Sequence, residues 1–333
     1  MRKSRIVFWP HTLNSNVASY RIRCKLIVEE LKKIDDNNVY AISEKVPQEA
    51  DILILSKRYD KDSIRSAVEL REKYGTKLFL DICDNHFIDE HKSKELQVAI
   101  DKVDHIISST EFLKSIITTH TNRKDIQVIG DITEHSNLKK GYYLLRVFYL
   151  WKIQFFKWKI KKTNPITSKR LVWYGNHQGS IKDSGMSDLN LIRKELEELY
   201  REEKISLTII SNSYKRYRDI FKDWNLETIY VPWDKISFEN IFKIHSTSII
   251  PVSKNKFTYS KTDNRVTLSL YHGLQVVADP IPSYIQHADK IFLSDWKNSL
   301  KSIVTLNRRK QIGIDILKMN KKIINSWKET LLS

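Results

Sequence analysis

The stretch YSKTDNRVTLSLYHGLQVVADPIPSY, residues 259–284, decides the fold class because it contains a helix and a buried strand in direct succession. A polar cluster at 260–265 precedes apolar residues at helical spacing, and Gly273 is the residue type that most often ends a helix. The apolar run 275–278 follows at once and is typical of a strand inside a sheet. This succession is half of a βα unit, so it predicts a parallel sheet covered by helices.

The same alternation of short β-branched runs and amphipathic stretches continues in both directions along the 333 residues. It predicts strands at 5–9, 39–42, 51–56, 77–82, 105–108 and 126–129, and again at 170–174, 206–210, 228–231, 248–252, 275–278 and 290–293. We therefore expect an α/β protein with two Rossmann-like domains that face a cleft, one over 1–135 and one over 165–310. The last segment, 311–333, is expected to form a helix that packs back across towards the first domain.

The two predicted domains are separated by a connector, residues 136–164. Its core at 138–162, LKKGYYLLRVFYLWKIQFFKWKIKK, contains eight Lys and Arg residues and no acid. At 100° per residue the apolar side chains fall on two opposite faces, so a helix here needs two partners. One face consists of Leu144, Val147, Phe148, Trp151, Phe155 and Trp158, and the other of Leu145, Tyr149, Ile153 and Phe156.

We expect one face of the connector to dock on the protein and the other to lie among lipid acyl chains, with the basic flanks at anionic headgroups. A buried helix between the two domains is the first alternative, with its lysines in solvent. Contact with nucleic acid is the second, although the basic residues form no continuous stripe.

Composition excludes several classes of protein. With 41% hydrophobic and 29% charged residues, 8 Gly and 7 Pro, the chain is neither collagen-like nor largely disordered. Its net charge of +17 indicates a polyanionic binding partner, such as nucleic acid, anionic lipid or a phosphorylated substrate. Cys24 and Cys83 are isolated, which argues against a disulfide framework or a zinc site and fits a reducing cytoplasm. We predict neither a signal peptide nor a membrane-spanning helix.

Sharp catalytic motifs are missing from the sequence. It contains no Walker A loop, no GxGxxG, no HExxH and no GxSxG, which removes the main support for P-loop NTPases, ordinary NAD enzymes, zincins and α/β-hydrolases. Asp60 and Asp62 form the single Asp-x-Asp pair, but they precede a helical pattern. We interpret Asp60 or Asp62 as an N-cap residue rather than as a ligand of a metal that holds a nucleotide sugar. Neither a metal nor a resident cofactor is expected.

Polar and aromatic residues follow successive strands of the predicted C-terminal sheet. Gly175 and Asn176 come directly after its first strand, Asn212 after the second and Trp233 after the third. Because the carboxyl ends of parallel strands line one crevice, these residues are candidate ligand contacts. The cluster that opens the helix in 259–284 adds two cations and a helix N-terminus suited to a phosphate. Its candidates are Ser260, Lys261, Thr262, Asp263, Asn264 and Arg265.

Six pieces of the sequence occur in a recognisable order and spacing: ASYRIRCKLIVEELKK, ADILILSK, DHIISSTEFLKSII, VIGDITE, LVWYGN and, above all, KTDNRVTLSLYHGLQVVADPIPSY. Through them most of the chain resembles the GT-B glycosyltransferases, in particular the enzymes of bacterial surface-polysaccharide and lipopolysaccharide synthesis. The resemblance implies an N-terminal domain that binds the acceptor, a C-terminal domain that binds a nucleotide sugar, and transfer without an obligatory metal. Many retaining members carry a pair of glutamates where this chain has Ser260 and Leu268, so the donor base and the stereochemistry stay open.

Three residues are candidates for the catalytic base. Glycosyl transfer needs a positioned acceptor hydroxyl and, in some enzymes, a group that accepts its proton. The stretch DICDNHF places Asp84 and His86 beyond the carboxyl end of the strand 77–82, and His11 follows the strand 5–9. The alternative for the first two is a helix cap or a hydrogen-bonded loop.

Four further residues are candidate acceptor contacts. Asp81 lies in the same stretch as the candidate bases, and Tyr20, Arg21 and Arg23 begin the first predicted helix. The two arginines suit a phosphorylated or carboxylated acceptor. Their alternative is a solvated basic turn.

These features predict a glycosyltransferase that moves a sugar from a nucleotide-activated donor to a lipid-linked glycan, a lipopolysaccharide or a capsule-type acceptor. We expect it to be cytoplasmic and peripheral on the inner face of the cell membrane, which it contacts through 138–162. A basic nucleic-acid-binding protein and a non-catalytic GT-B-like scaffold are the alternatives.

Overall fold

The computed structural model describes residues 2–134, 143–176, 184–306 and 315–333. The chain forms two compact units, and neither is continuous in sequence. The first contains the described residues up to Glu134, the short segment Asn255–Asn264 and the C-terminal piece Asp315–Ser333; the second contains the rest. The roles and limits predicted for 1–135, 136–164, 165–310 and 311–333 stay predictions, and each of these ranges includes residues outside the described part of the chain.

The first unit is built on a six-stranded parallel sheet with strand order β2-β1-β3-β4-β5-β6. The strands are β1 Arg5–Pro10, β2 Val39–Ile42, β3 Ile52–Ser56, β4 Lys77–Ile82, β5 His105–Ser108 and β6 Ile126–Val128. Alternate side chains of the strands enter two separate cores: Val7 and Leu53 pack in one, Ile6 and Ile54 in the other. This period of two is the geometry of a strand with both faces covered, and it explains why β3 is entirely apolar before its last residue.

Helices of the first unit supply the two covering layers. They are Ala18–Tyr20, π-helical Arg21–Lys25 and Leu26–Ile34 in one continuous run, then Lys61–Tyr74, Glu90–Lys102, Glu111–Thr121, Lys256–Tyr259 and Ile316–Leu332, with a 3-10 turn at His86–Ile88. The Asp60 carboxylate accepts a hydrogen bond from the Ser63 backbone N–H at 3.0 Å, which confirms the N-cap interpretation. The last helix buries Trp327 against Phe8 of β1.

The second unit contains another six-stranded parallel sheet, with strand order β12-β11-β10-β7-β8-β9. The strands are β7 Arg170–Tyr174, β8 Ser206–Ser211, β9 Thr228–Pro232, β10 Thr247–Ile250, β11 Gln275–Ala278 and β12 Phe292–Leu293. Counted from β7 this is the order 3-2-1-4-5-6 of the dinucleotide-binding fold. Two parallel sheets with flanking helices confirm the predicted α/β class and the two Rossmann-like units.

The helices of the second unit are Tyr143–Thr163, Arg193–Glu203, Tyr214–Phe221, Phe238–Phe242, Asn264–Tyr271, Pro282–Ile285 and Trp296–Leu306, with 3-10 turns at Thr167–Lys169 and Gly185–Ile192. The 3-10 turn Gly185–Ile192 leads directly into the helix Arg193–Glu203. The Asp188 carboxylate accepts a hydrogen bond from the Gly185 backbone N–H at 3.0 Å, so it is engaged by the turn itself.

Tyr143–Thr163, called the connector helix from here on, packs one of its apolar faces on the core of the second unit. Ile153 and Ile160 are both buried, and Ile160 packs beside Val172. Lys152 forms an ion pair with Asp234 and so fixes the helix from its flank. This apolar face therefore packs on the second unit, and the side chain of Leu145 is not among those described. The role predicted for the connector stays a prediction.

The opposite face of the connector helix is exposed. Trp151 is 65% exposed, and its ring stacks on that of Phe155 at 5.5 Å between centroids. Val147, Phe148 and Trp158 are exposed as well, whereas the side chain of Leu144 is not described. Within the described parts of the chain, no helix combines the length and the apolar character that crossing a bilayer requires.

Candidate functional site

The strand order of the first sheet reverses beside β1, which has β2 on one side and β3 on the other. In doubly wound sheets, ligands bind at the carboxyl ends of the strands that flank such a reversal. Here His11 follows β1, Lys57 and Arg58 follow β3, and Asp84 lies just beyond β4. Arg58 ties the two flanking strand ends together, because its Nε and Nη2 donate to the Pro10 carbonyl at 3.0 and 2.7 Å. We call this group the first reversal edge.

Asp84 is held between two lysines at the first reversal edge. The Lys57 Nζ donates to Oδ2 and the Lys261 Nζ to Oδ1, each at 2.5 Å. Burial alone would raise the pKa of Asp84, but the two ammonium groups outweigh burial and hold the pKa well below its usual range. Asp84 is therefore an anion at neutral pH with very weak basicity, which disfavours it as the proton acceptor.

His11 is better suited than Asp84 to accept a proton at neutral pH. Solvent reaches His11, yet desolvation by the surrounding protein lowers the pKa of its ring, and the charges of Lys57 and Arg58 lower it further. The imidazole is thus neutral near pH 7. Burial lowers the pKa of His86 to about 4, and its Nδ1 already contacts the Tyr59 hydroxyl. The catalytic assignments stay predictions, and these pKa shifts favour His11 among them.

Arg23 and Asp81, both predicted to contact the acceptor, form a buried ion pair with each other. Arg23 is 2% exposed and Asp81 is 0% exposed. The Arg23 Nε and Nη2 donate to Asp81 Oδ1 at 2.8 and 2.6 Å, while its Nη1 donates to Asp131 Oδ1 at 2.7 Å. Ser56 Oγ donates a further hydrogen bond to Asp81 at 2.9 Å. Every charge in this cluster is paired, which is the condition under which buried charges are tolerated.

The other two predicted acceptor contacts are buried as well. The Arg21 Nη2 donates to Glu134 Oε2 at 2.7 Å, and Tyr20 belongs to the core behind β1. Neither Arg21 nor Arg23 is solvated, so the alternative of a solvated basic turn is wrong: the helix directs both guanidiniums inward to carboxylates on later segments. Contact of these four residues with an acceptor stays a prediction.

The segment Asn255–Asn264 carries five of the ten predicted donor-site residues, and it belongs to the first unit. Thr262 Oγ1 and Asn264 Nδ2 donate to Asp131 Oδ2 at 2.8 and 2.7 Å, opposite the oxygen that Arg23 binds. Ser260 is buried and donates to the Lys256 carbonyl at 2.7 Å. The segment is thereby fastened to the ion cluster of the first sheet. Asp263, next to Thr262, is partly buried.

The second sheet reverses between β7 and β10. Gly175 and the exposed Asn176 follow β7 at this second reversal edge. A Cβ at position 175 would lie 3.1 Å from the indole of Trp173 and 3.8 Å from the Arg265 Cζ, so any side chain there would crowd the arginine and the indole. Glycine therefore leaves the strand end open to a ligand beside Arg265.

Arg265 is a third predicted donor residue at the second reversal edge, beside Gly175 and Asn176. Its guanidinium lies 5.2 Å from the ring centroid of Trp173 and 5.4 Å from that of Tyr174. Its Nε and Nη2 are buried and have no hydrogen-bond partner among the described residues. Buried donors without a partner are costly, so these two nitrogens are suited to an anionic ligand.

The remaining candidates lie at neighbouring strand ends. Asn212 is exposed after β8, and Trp233 is partly buried after β9, where its backbone N–H donates to the Ser211 carbonyl at 2.8 Å. β8 adjoins β7, whereas β9 is the outermost strand. In the described ranges 2–134, 143–176, 184–306 and 315–333, no group of three or more His, Cys, Asp or Glu side chains is placed to hold a metal ion.

Sequence reasoning missed several residues at the two edges. Lys57 and Arg58 come directly after a strand, as Gly175 does. Sequence reasoning passed over them because lysine and arginine are common at protein surfaces. Asp188 lies far along the chain from Ser253, to which its carboxylate is hydrogen-bonded, and burial raises the pKa of Asp188. Trp173 lies within the apolar strand β7, and no signal in the sequence showed that the Arg265 guanidinium would lie over its ring.

No protein-family model and no curated protein sequence matches the chain. Solved structures do. HepE from Anabaena, in complex with UDP and glucose, has a TM-score of 0.61 at 8% identity over 97% of this chain and 99% of its own. WaaG, a glycosyltransferase involved in lipopolysaccharide biosynthesis, has a TM-score of 0.57 at 9% identity over 96% of this chain and 98% of its own. TarM of S. aureus, in complex with UDP among other ligands, has a TM-score of 0.57 at 13% identity, over 92% of this chain and 58% of its own.

These similarities show the fold. The proteins are GT-B glycosyltransferases, and the described units of this chain have the same two-sheet architecture. The GT-B resemblance carried by the six sequence pieces is therefore confirmed.

Proposed function

We propose that the protein is a glycosyltransferase that moves a sugar from a nucleotide-activated donor to a lipid-linked glycan, a lipopolysaccharide or a capsule-type acceptor. The observation that carries the proposal is the buried Arg265 guanidinium, with two nitrogens lacking partners among the described residues, beside Gly175 at the second reversal edge. The GT-B relatives with UDP or UDP-glucose support a nucleotide-sugar donor.

The proposed chemistry uses charge rather than a metal at the leaving group. As the bond from the sugar to the nucleotide breaks, negative charge grows on the departing phosphate, and the fixed guanidinium of Arg265 stabilises it. At the first reversal edge, the neutral His11 accepts the proton of the attacking hydroxyl.

A nucleotide panel tests the donor site. UDP, GDP, TDP and CMP are each added, and one of them is expected to raise the melting temperature, since a ligand at about 100 times its Kd stabilises the folded state by about 2.7 kcal/mol. Arg265→Ala removes the cation and is expected to abolish most of the stabilisation. Arg193→Ala is the matched control, because Arg193 also stacks on a tryptophan, Trp224, at 5.6 Å. If no nucleotide at millimolar concentration stabilises the unsubstituted protein, the proposed function is wrong.

The proposed site of action is the inner surface of the cell membrane, and the connector helix supports it. One face of this helix is anchored by Ile153 and Ile160, while Trp151 and Trp158 on the other face are exposed. Lys159, Lys161 and Lys162 near its end are exposed beside these rings. Aromatic side chains with adjacent lysines suit the interface of an anionic bilayer.

Vesicle sedimentation tests the membrane contact. Trp151→Ser with Trp158→Ser is expected to weaken binding to vesicles containing anionic lipid by about tenfold or more, because apolar burial contributes about 25 cal/mol per Å². Leu317→Ser is the control: Leu317 is 66% exposed on the lysine-rich helix Ile316–Leu332. Equal sedimentation of the double variant and the unsubstituted protein, with melting temperatures unchanged, would remove this face as the lipid contact.

A further inference from the structure

Positive charge is in excess at the first reversal edge. Lys57, Arg58 and Lys261 contribute three cations, and Asp84 is the carboxylate between the two lysines. The acid whose charge acts on Arg58, Asp60, is engaged as the N-cap of the following helix. Asp81 lies close by in sequence, but its charge is met by Arg23. A single carboxylate between two ammonium groups therefore leaves the edge positive.

The backbone at Lys57 is in an unusual conformation. Its φ is +51°, in the left-handed region that glycine adopts without strain and that is strained for residues with a side chain. Asn122, Lys204 and Ser294 share this conformation. The first two end helices, where it is a common cap, and Ser294 follows β12 at the outer edge of the second sheet. Lys57 instead ends a strand at a sheet reversal. Strained residues concentrate at ligand sites. At position 57 the chain has a lysine where glycine would be unstrained, which suggests a use for the lysine side chain.

The ammonium of Lys57 retains donors for a ligand. An ammonium has three N–H donors, and one of those of Lys57 goes to Asp84. The Lys57 side chain is 18% exposed and that of Lys261 is 39% exposed, so a small group can reach both. Asp84 acts as a positioning residue, since its two oxygens fix the two ammonium groups on either side of it.

From this geometry we infer that Lys57 and Lys261, with Arg58 beside them, bind an oxyanion, a phosphate or a carboxylate, carried by the acceptor. The inference rests on the proposed function and specifies its acceptor as an anionic sugar or lipid headgroup. It assigns Lys261 to the acceptor, not to the donor. His11 lies close enough for the charge of Lys57 to act on its ring, so the bound oxyanion and the hydroxyl that His11 activates belong to one substrate.

Three matched monosaccharides test this inference: glucose 6-phosphate, glucuronate and neutral glucose, with Kd values measured by NMR titration. The unsubstituted protein is expected to bind at least one of the charged sugars about tenfold more tightly than glucose, as expected for charge-assisted hydrogen bonds. The phosphate and carboxylate arms show which oxyanion is preferred. Lys57→Gln and, separately, Lys261→Gln are expected to remove the preference, whereas Lys57→Arg keeps it.

Two controls separate this site from others. Lys204→Gln changes the other lysine with left-handed backbone, φ +52°, and is expected to leave all three Kd values unchanged. Arg265→Ala is expected to keep the preference for charged sugars while losing nucleotide binding. Equal binding of glucose and the charged sugars, or full retention of the preference in both glutamine variants, would overturn the inference. If the preference for charged sugars is absent but a nucleotide still raises the melting temperature, the inference is wrong and the proposed function is not contradicted. If the charged sugars bind but no nucleotide does, the proposed function is wrong and only the anion site is supported.

Discussion

Asp81→Ala is expected to lower the free energy of unfolding by about 3–5 kcal/mol, because it removes one partner of a buried ion pair and leaves the Arg23 guanidinium without its bidentate acceptor. Arg23 is 2% exposed, so water cannot replace the lost oxygens. A domain is typically stable by about 5–15 kcal/mol, and the loss is therefore a large part of the total. Urea titration followed by circular dichroism measures it.

A surface pair provides the comparison. Arg123 donates to both oxygens of Asp125, at 2.7 Å each, but the Asp125 side chain is 57% exposed. Asp125→Ala is therefore expected to cost less than about 1 kcal/mol, since exposed pairs contribute little. Equal losses for Asp81→Ala and Asp125→Ala would contradict the importance of the buried cluster.

His11→Ala is expected to lower the rate of nucleotide release from the donor by about 10²–10⁴-fold, the range typical of a lost general base. The measurement uses the sugar of whichever nucleotide stabilises the protein, with the charged monosaccharides as acceptors. Nucleotide binding should be unchanged, because the proposed donor site at Arg265 lies in the other unit. A rate loss of less than about threefold, far below the usual contribution of a general base, would exclude His11 from that role.

The pH profile distinguishes the three candidate bases. A base acts in its deprotonated form, so activity falls as the pH drops through its pKa. The pKa of His11 is lowered from 6.5, which puts its acidic limb below pH 6.5. The pKa of His86 is about 4, and that of Asp84 is well below the usual carboxyl range. Activity that stays constant from about pH 7 down to about pH 5 and falls near pH 4 would favour His86, and activity that persists below that would favour Asp84.

Periodicity was sufficient to predict the two sheets. An apolar run such as ILIL in β3 can be buried on both faces only inside a parallel sheet, and the turn residues between runs mark the crossovers. What periodicity lacks is information on which sheet a helix will join. The segment Asn255–Asn264 lies between strands of the second sheet in sequence, yet Thr262 and Asn264 bind Asp131 of the first unit.

The candidate site was predictable in position but not in chemistry. The rule that ligands meet the carboxyl ends of strands identified Asp84 and Gly175 from sequence. It could not show that Lys57 and Lys261 neutralise Asp84, because residue 261 is 177 positions away from residue 84 in the chain. Likewise, Arg23 and Asp81 were predicted to contact a substrate. An arginine and an aspartate can bind a substrate or pair with each other, and the sequence alone does not distinguish the two.

The discontinuity of the first unit has a consequence for its synthesis. Trp327 fills the core behind β1, and the second carboxylate oxygen of Asp131 is met by residues of the segment Asn255–Asn264. Ribosomes add about 5–20 residues per second, so the sheet of the first unit is complete some ten seconds or more before its last core residue emerges. During that interval its apolar surface is incompletely covered. The first sheet therefore cannot complete its core until the far end of the chain has been made.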